Sequence, residues 1–310
     1  MRASTAGEVV DGYPFGPKSG KSGSIVKKPV IFLDNASTTR CLETAGEAWS
    51  KFSIVHFGNP SSSHSLGQLS ARAIHEARLG FGSIFRVAPE QVVFTGSGTE
   101  SDNLAIYGVA LETMARRTQK GLHEVPRVIC SAIEHAAVKS TVHSLSELGF
   151  DVQIAPVQSN GQLDLNAFLN LVTPATLLVS VHLVNNIVGS VLPVEDLARR
   201  VKERAPRAIF HTDAVQAFGK IPVPTSPSAI DLLSISGHKF EGPKGVGALI
   251  FLNRELLKSG AMRPMIRGGD QEGGWRSGTQ SAGLISAFRG AAEQANLNRE
   301  RNMVHVRQLR

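Results

Sequence analysis

The sequence contains little cysteine, few aromatic residues and no long apolar run. Its 310 residues include two cysteines, Cys41 and Cys130, and only 6% aromatic residues. Two cysteines far apart in a chain of this length provide no disulfide framework and are typical of a reducing compartment. No apolar run approaches the roughly 18 residues of a membrane-spanning helix, so no membrane partner is predicted.

An excess of positive charge is also missing from most of the chain. The formal net charge is +7, but residues 1–30 and 298–310 each carry +3 of it, which leaves +1 for the body. A nearly neutral body with basic ends gives no continuous basic surface, so no nucleic-acid partner is predicted.

Residues 1–29 lack apolar periodicity and are rich in Gly, Ser, Pro and Lys. This composition predicts a mobile N-terminal extension. The extension has no continuous apolar core, which argues against a secretory signal, and Glu8 and Asp11 argue against an organelle transit peptide. The expected location stays open between cytoplasm and mitochondrion.

What the sequence does contain is an alternation of short β-rich runs with helical patterns from Pro29 onward. Strands separated by helices predict an α/β fold with a mostly parallel, doubly wound sheet. The last two strands, Leu232–Ile235 and Val246–Phe251, are expected to form an antiparallel pair. Residues 282–310 predict one long helix, after which the chain stops without a Gly cap or a following strand. That ending predicts a truncated or incomplete product.

Two segments carry chemistry at predicted strand ends. Thr95–Ser101 lies between a strand and a helix, where backbone N–H groups and hydroxyls would form a phosphate cradle. The simpler interpretation is an ordinary Ser/Thr helix cap. Glu134 and His135 follow the next strand; a histidine there would stack on a planar ring and move protons, although a lone histidine is more often structural.

Two further segments complete the pattern. In His211–Gln216, Asp213 at a buried strand end needs a partner such as a pyridinium N–H, and Gln216 would bond a phenolic ring oxygen. In Ser236–Gly247, Ser236 and His238 would donate to a phosphate while Lys239 carries an aldehyde as a Schiff base. A helix cap is the alternative for Asp213, and a surface turn for Lys239. The four segments together fit pyridoxal 5'-phosphate better than a nucleotide, and no metal site is predicted.

The chain resembles the cysteine desulfurases and the similar selenocysteine lyases, within the class V aminotransferase group of pyridoxal-phosphate enzymes. The resemblance covers about residues 30–310 and rests on an ordered set of segments: LDNASTT (33–39), GNPSSSHSLG (58–67), FTGSGTESDNLAI (94–106), EHAAV (134–138), NGQLDL (160–165), NNIVG (185–189), HTDAVQAFGK (211–220), SGHKFEGPKGVG (236–247) and GGDQEGGWRSGT (268–279). It implies fold type I, with a mostly parallel seven-stranded sheet flanked by helices and an incomplete small domain. The implied division is a cofactor-binding large domain over 30–280 and a helix over 281–310 that leads to a missing C-terminal domain. As an alternative, the early segment 30–50 is expected to pack with that small domain.

The resemblance also implies a role for each matching residue. Lys239 resembles the Schiff-base lysine and His135 the ring-stacking, proton-moving histidine. The implied cofactor contacts are Gly98, Thr99, Asn186, Asp213, Gln216, Ser236 and His238, with Thr279 reaching the phosphate of the other subunit in a homodimer. Asn35 and Asn186 are the implied substrate contacts.

The implied reaction removes sulfur from L-cysteine, leaving alanine and a persulfide that serves iron–sulfur cluster assembly or another sulfur-acceptor protein. A selenocysteine lyase acting on L-selenocysteine is one alternative. A non-catalytic, cofactor-binding or heterodimerising homologue is another. In the family the nucleophilic cysteine and an arginine that holds the substrate carboxylate lie C-terminal to the matching segments, and neither Cys41 nor Cys130 fits that thiol. The chain also carries Ile187 where the family has glutamate and Asp270 where it has glycine.

Overall fold

A seven-stranded sheet forms the centre of the computed structural model, which describes residues 31–121 and 123–309. The predicted extension over 1–29 lies outside these residues. The strand order is β1-β7-β6-β5-β4-β2-β3, and only the pairs that involve β7 are antiparallel. The mostly parallel α/β sheet and the antiparallel pair β6–β7 are therefore confirmed. The strands are β1 (Val92–Thr95), β2 (Arg127–Ser131), β3 (Asp151–Ala155), β4 (Thr176–Ser180), β5 (Ile209–Asp213), β6 (Leu232–Ser236) and β7 (Gly247–Phe251).

Helices cover both faces of this sheet, which explains why every residue of the central strands β5 and β6 is buried. The α-helices are α1 (Glu43–Ser50), α2 (Ser65–Phe85), α3 (Gly98–Lys120), α4 (Ala136–Ser144), α5 (Leu165–Leu171), α6 (Val194–Arg204), α7 (Leu256–Ser259) and α8 (Ala282–Leu309). Helices α2, α5, α6 and α8 pack on one face. Helices α3, α4 and α7 pack on the other. None of the helices in the described ranges combines the length and apolarity needed to cross a membrane.

The predicted C-terminal helix is confirmed as α8, and its first half belongs to the core. Phe288 is fully buried, with its ring 4.6 Å from Phe81 and 5.5 Å from Phe240 between centroids. Phe240 directly follows Lys239, so this aromatic cluster forms the floor beneath the lysine segment. The second half of α8 is largely exposed.

The early loop is tied to the lysine segment by main-chain hydrogen bonds. Thr39 N donates to His238 O over 2.8 Å, and Leu42 N donates to Glu241 O over 2.9 Å. Thr39 Oγ1 also donates to His238 O and accepts from Glu241 N. Two segments about 200 residues apart in sequence thus meet at the carboxyl edge of the sheet, where ligands bind in open α/β folds.

Candidate active site

A cavity of about 330 Å³ opens at the carboxyl edge of β2, β4, β5 and β6. That volume lies at the lower end of the range for small-molecule sites. Nine of the eleven predicted site residues line it: Gly98, Thr99, His135, Asn186, Asp213, Gln216, Ser236, His238 and Lys239. The structure thereby brings together groups from five separate segments, and their individual roles stay predictions.

The other two predicted residues do not line this cavity. Asn35 does not line the cavity, although its neighbours Asp34 and Ala36 both do. Thr279 lines a different cavity with Thr95 and Gly96. Within one chain Thr279 therefore does not complete the site.

The N-terminus of α3 is arranged to hold an anion. Ser97 caps the helix by accepting from Glu100 N over 3.1 Å, so the cap interpretation is confirmed for Ser97. Gly98 lies so close to the loop after β5 that a Cβ at this position would come 2.7 Å from Val215 Cγ2. Arg276 pairs with Glu100 at 2.9 Å and offsets its charge. The positive end of a 23-residue helix thus faces the cavity beside the Ser236 hydroxyl, as a phosphate requires.

Lys239 points its amine at the early loop. Lys239 Nζ donates to Ala36 O over 2.8 Å and to Ser37 O over 2.7 Å. Burial lowers the pKa of Lys239, and the charges of Asp213 and Asp34 oppose that change. A lowered pKa increases the neutral fraction of the amine, which is the form that attacks an aldehyde.

Gln216 and Lys220 support the same loop from the other side. Gln216 Nε2 donates to Ala36 O over 2.8 Å, and Lys220 Nζ donates to Gln216 Oε1 over 2.9 Å. Burial, together with the charge of Lys239, lowers the pKa of Lys220 to about 8. Lys220 is thus a second amine with a raised neutral fraction, but it does not line the cavity.

Asp213 and His135 each accept a hydrogen bond from a nearby backbone N–H and also line the cavity. Asp213 Oδ1 accepts from Val215 N over 2.8 Å in a turn, and no described helix begins between β5 and β6, so the helix-cap alternative for Asp213 is wrong. His135 Nδ1 accepts from Ala137 N over 3.1 Å at the start of α4. Each of these bonds holds its side chain at the cavity. The local hydrogen bonds are therefore compatible with the predicted cofactor contacts of both residues.

Several cavity residues were missed by sequence reasoning. Asp34, Ser37, Asp102 and His182 line the cavity alongside the predicted set. His182 Nε2 and Asp102 Oδ1 are buried and have no hydrogen-bond partner among the described residues. A sequence signal existed for His182, a polar residue inside the apolar run 177–184 at a strand end. None existed for Asp102, which lies within a helix.

The groups at this cavity match those that pyridoxal 5'-phosphate would need. The glycine-lined helix end suits its phosphate, the Lys239 amine its aldehyde, and the buried carboxylate of Asp213 its ring nitrogen. The two buried polar atoms without partners, on His182 and Asp102, show that the cavity is built for a polar occupant.

Comparison with known proteins agrees with this geometry. The Aminotransferase class-V family profile matches residues 31–295. The chain is 38% identical over 283 residues to the cysteine desulfurase IscS of Dictyoglomus turgidum, which covers 91% of this chain and 68% of that protein. The chain belongs to the cysteine desulfurase group of the class-V aminotransferases.

Two other matches extend this result. A cysteine desulfurase of a Nostoc species is 39% identical over 264 residues, which cover 85% of this chain and 62% of that protein. A solved structure described as SspA in complex with cysteine superposes with a TM-score of 0.77 at 34% identity, covering 85% of this chain and 72% of that one. The chain thus spans about two thirds of the length of its curated relatives, from 62% to 68% in these two cases.

Neither Cys41 nor Cys130 lines the main cavity. Cys130 is buried at the end of β2, where burial and the charge of Glu134 raise its pKa to about 12. Burial also raises the pKa of Cys41. A raised pKa disfavours the reactive thiolate, so both residues are poor nucleophiles.

The two departures from the family pattern lie away from the cavity floor. Ile187 is 84% exposed at the tip of a turn that Asn185 Oδ1 holds through the main chain. Asp270 adopts a left-handed conformation with φ 58°. Glycine is preferred at such a position, and aspartate is one of the few residues that tolerate it.

His211 lies beneath the cavity as a fully buried neutral group. Its Nδ1 and Nε2 are each 2.9 Å from a serine hydroxyl, of Ser180 and Ser234 respectively. Burial lowers its pKa to about 3. Asp102 lies 3.6 Å away, and burial with the charge of Asp213 raises the pKa of that carboxyl.

We expect His211 to make the fold sensitive to acid. An imidazole in the unfolded chain binds a proton near pH 6.5, whereas His211 in the native state binds one only near pH 3. The free energy of unfolding should therefore decline as the pH falls through that window. Replacing His211→Gln should make the decline shallower in urea titrations at a series of pH values. The exposed control His75→Gln should leave it unchanged, and an unchanged decline in His211→Gln would contradict the expectation.

Proposed function

We propose that this chain binds pyridoxal 5'-phosphate in the main cavity and removes sulfur from L-cysteine to give L-alanine. The observation that carries the proposal is the convergence of the Lys239 amine, the Asp213 carboxylate and the N-terminus of α3 on one cavity. Membership of the cysteine desulfurase group supports it.

Residues from each side of the cavity would hold the cofactor. The α3 N-terminus, with Thr99, Ser236 and His238, would bind the phosphate. Asp213 would pair with the ring nitrogen, and His135 would lie against the ring. Lys239 would anchor the aldehyde. When bound, pyridoxal phosphate supplies an electron sink for the carbanion formed at the substrate Cα.

The chain's own groups would then move protons. Lys239, with a lowered pKa, suits the transfer of a proton at the substrate Cα, and His135 is the second base at the cavity. Asn186 would orient the substrate from the loop after β4. The sulfur atom passes from cysteine to a thiol R–SH, which becomes R–S–SH, so atoms balance without an added oxidant or reductant. Cysteine desulfurases use such a persulfide for sulfur transfer to acceptor proteins.

The experiment supplies the full chain with pyridoxal phosphate, L-cysteine and an external thiol as sulfur acceptor, and measures alanine and persulfide. Equal amounts of both products are expected. Bound cofactor without alanine would overturn the desulfurase activity and favour a cofactor-binding homologue. Faster release of alanine from L-selenocysteine than from L-cysteine would favour a selenocysteine lyase instead.

We further propose a homodimer in which Thr279 reaches the partner's cavity. Thr279 is exposed and lies outside its own chain's main cavity, which supports this arrangement. Thr279→Ala is expected to weaken binding of pyridoxal phosphate by about 1.5–3 kcal/mol, the contribution of a hydrogen bond to a charged group.

Mixing two variants tests whether Thr279 acts between subunits. A mixed dimer of Lys239→Ala and Thr279→Ala chains would carry one cavity in which both residues are intact. Fluorescence titration of the mixture should therefore reveal a fraction of sites with the original affinity. If Thr279 acts within its own chain, the mixture regains no such sites.

A further inference from the structure

The ends of β2, β4 and β5 place one imidazole, that of His182, between two carboxylates. Ser180 on β4 pairs with His211 on β5. Beyond that pair, Val181 N donates to His211 O over 3.1 Å and Leu183 N donates to Asp213 O over 2.9 Å. Continuing the register sets His182 beside Asp213, on adjacent strands whose spacing is about 4.8 Å. Both side chains line the main cavity.

The second carboxylate, Glu134, holds His182 from the β2 side. His182 Nδ1 lies 3.1 Å from Glu134 Oε1. The backbone N–H of His182 donates to both carboxylate oxygens, over 3.0 and 3.1 Å, and the Ser131 hydroxyl donates as well. The Glu134 side chain has no exposed surface. These bonds fix the imidazole orientation and require its Nδ1 to be the donor to Glu134.

The other ring nitrogen of His182 is buried without a hydrogen-bond partner among the described residues. His182 is 3% exposed, and its Nε2 is buried with no hydrogen bond among the described residues. A buried polar atom of this kind needs a ligand or a neighbouring charge to offset its desolvation. Asp213 is the adjacent carboxylate on the neighbouring strand.

Electrostatics favour a proton on this imidazole. Burial opposes the charged form, but the hydrogen bond to Glu134, its charge and that of Asp213 outweigh burial and raise the pKa of His182. Burial and the charge of Glu134 raise the pKa of Asp213, and the Val215 N–H together with His182 and His135 counters that change. Other titratable neighbours are Asp102 on the α3 side of the cavity, the neutral His211, Lys239, which is near enough to Asp213 to feel its charge, and Cys130, which feels the charge of Glu134.

We propose that His182 is a positioning residue. Its imidazole stays protonated between Glu134 and Asp213 and thereby keeps the Asp213 carboxylate charged toward the ring nitrogen of the cofactor. The inference rests on the proposed binding of pyridoxal phosphate. A charged Asp213 keeps the ring nitrogen protonated, which is what makes the ring an effective electron sink. Without the imidazolium, burial would favour the neutral carboxylic acid, which cannot serve that purpose.

The first test needs no cofactor. The ring proton Hε1 of His182 is followed by NMR as a function of pH and assigned by its loss in His182→Gln. We expect its midpoint above the ordinary value of about 6.5. Glu134→Gln should lower the proton affinity by about tenfold or more, which is one pKa unit. The remote control Glu195→Gln, on α6, should leave the midpoint in place. A midpoint below the ordinary value, or one that ignores Glu134→Gln, overturns the proposal.

The second test compares pyridoxal phosphate with its 1-deaza analogue, in which a C–H replaces the ring nitrogen. His182→Gln should weaken binding of pyridoxal phosphate about tenfold, the equivalent of one pKa unit. It should leave binding of the analogue within about twofold, because the analogue makes no charged contact with Asp213. Equal weakening of both probes would show a merely structural role and overturn the inference. Failure of pyridoxal phosphate to bind the unaltered chain would instead overturn the proposed function, and the NMR titration would still test the pairing of His182 with Glu134.

Discussion

Replacing Lys239 with alanine is expected to eliminate covalent capture of pyridoxal phosphate and to lower cysteine turnover by at least about 10²–10⁴-fold, the contribution of a positioned acid or base. The physical reason is that the Lys239 amine is the one lysine nitrogen lining the main cavity among the described residues. Phosphate binding at the α3 N-terminus should survive. The measurement is borohydride reduction followed by peptide mass spectrometry, with alanine release measured in parallel.

Two other lysines make this prediction sharp. Lys244 is exposed in the same turn, so Lys244→Ala is the matched control and should retain the adduct on Lys239. Lys220 has a pKa lowered to about 8 and is the competing amine. An adduct found on Lys220 in the unaltered chain would contradict the assignment of Lys239 as the cofactor anchor.

Truncating Phe288 to alanine is expected to lower the free energy of unfolding by about 3–5 kcal/mol, as is usual for a buried phenylalanine. Phe288 is fully buried and lies 4.6, 5.5 and 6.3 Å from the rings of Phe81, Phe240 and Phe94. Removing its ring leaves a cavity that rigid neighbours cannot fill. Urea unfolding followed by circular dichroism measures the change.

The same helix offers the control. Leu297 on α8 is 77% exposed, so Leu297→Ala should change stability by no more than about 0.5 kcal/mol. A loss below about 1 kcal/mol for Phe288→Ala would show that α8 does not anchor the core. Because Phe240 adjoins Lys239, the variant should also weaken binding of pyridoxal phosphate, which the fluorescence titration detects.

The strand and helix pattern was accessible from the sequence because burial on both faces imposes a strong local signal. Apolar runs such as Leu232–Ile235 are short and lie between turn residues, a pattern that is typical of a strand buried in the middle of a sheet. The long C-terminal helix was equally clear. Its packing was not, because periodicity shows an apolar face without showing what covers it.

The site was predicted where a motif carries its own chemistry. Lys239, His135 and Asp213 each lie in a recognisable segment after a strand, and parallel strand ends must meet at one edge. His182 was missed because it lies outside the recognised segments. Asp102 was missed because, although it lies in segment 94–106, its place inside the following helix gives no local sign that it lines the cavity. Their importance arises from buried atoms without partners, which only tertiary contacts reveal.

The sequence by itself therefore determined the α/β class, the order of the strands along the chain and most residues of the cavity, because these depend on local patterns and on motif order. Only the tertiary structure decided that Ala36 and Ser37 hold the Lys239 amine, that Thr279 lies outside its own chain's cavity, and that His182 stands between Glu134 and Asp213. These relations join segments that are distant in sequence. They follow from the register of neighbouring strands and from burial, which the linear order of residues does not encode.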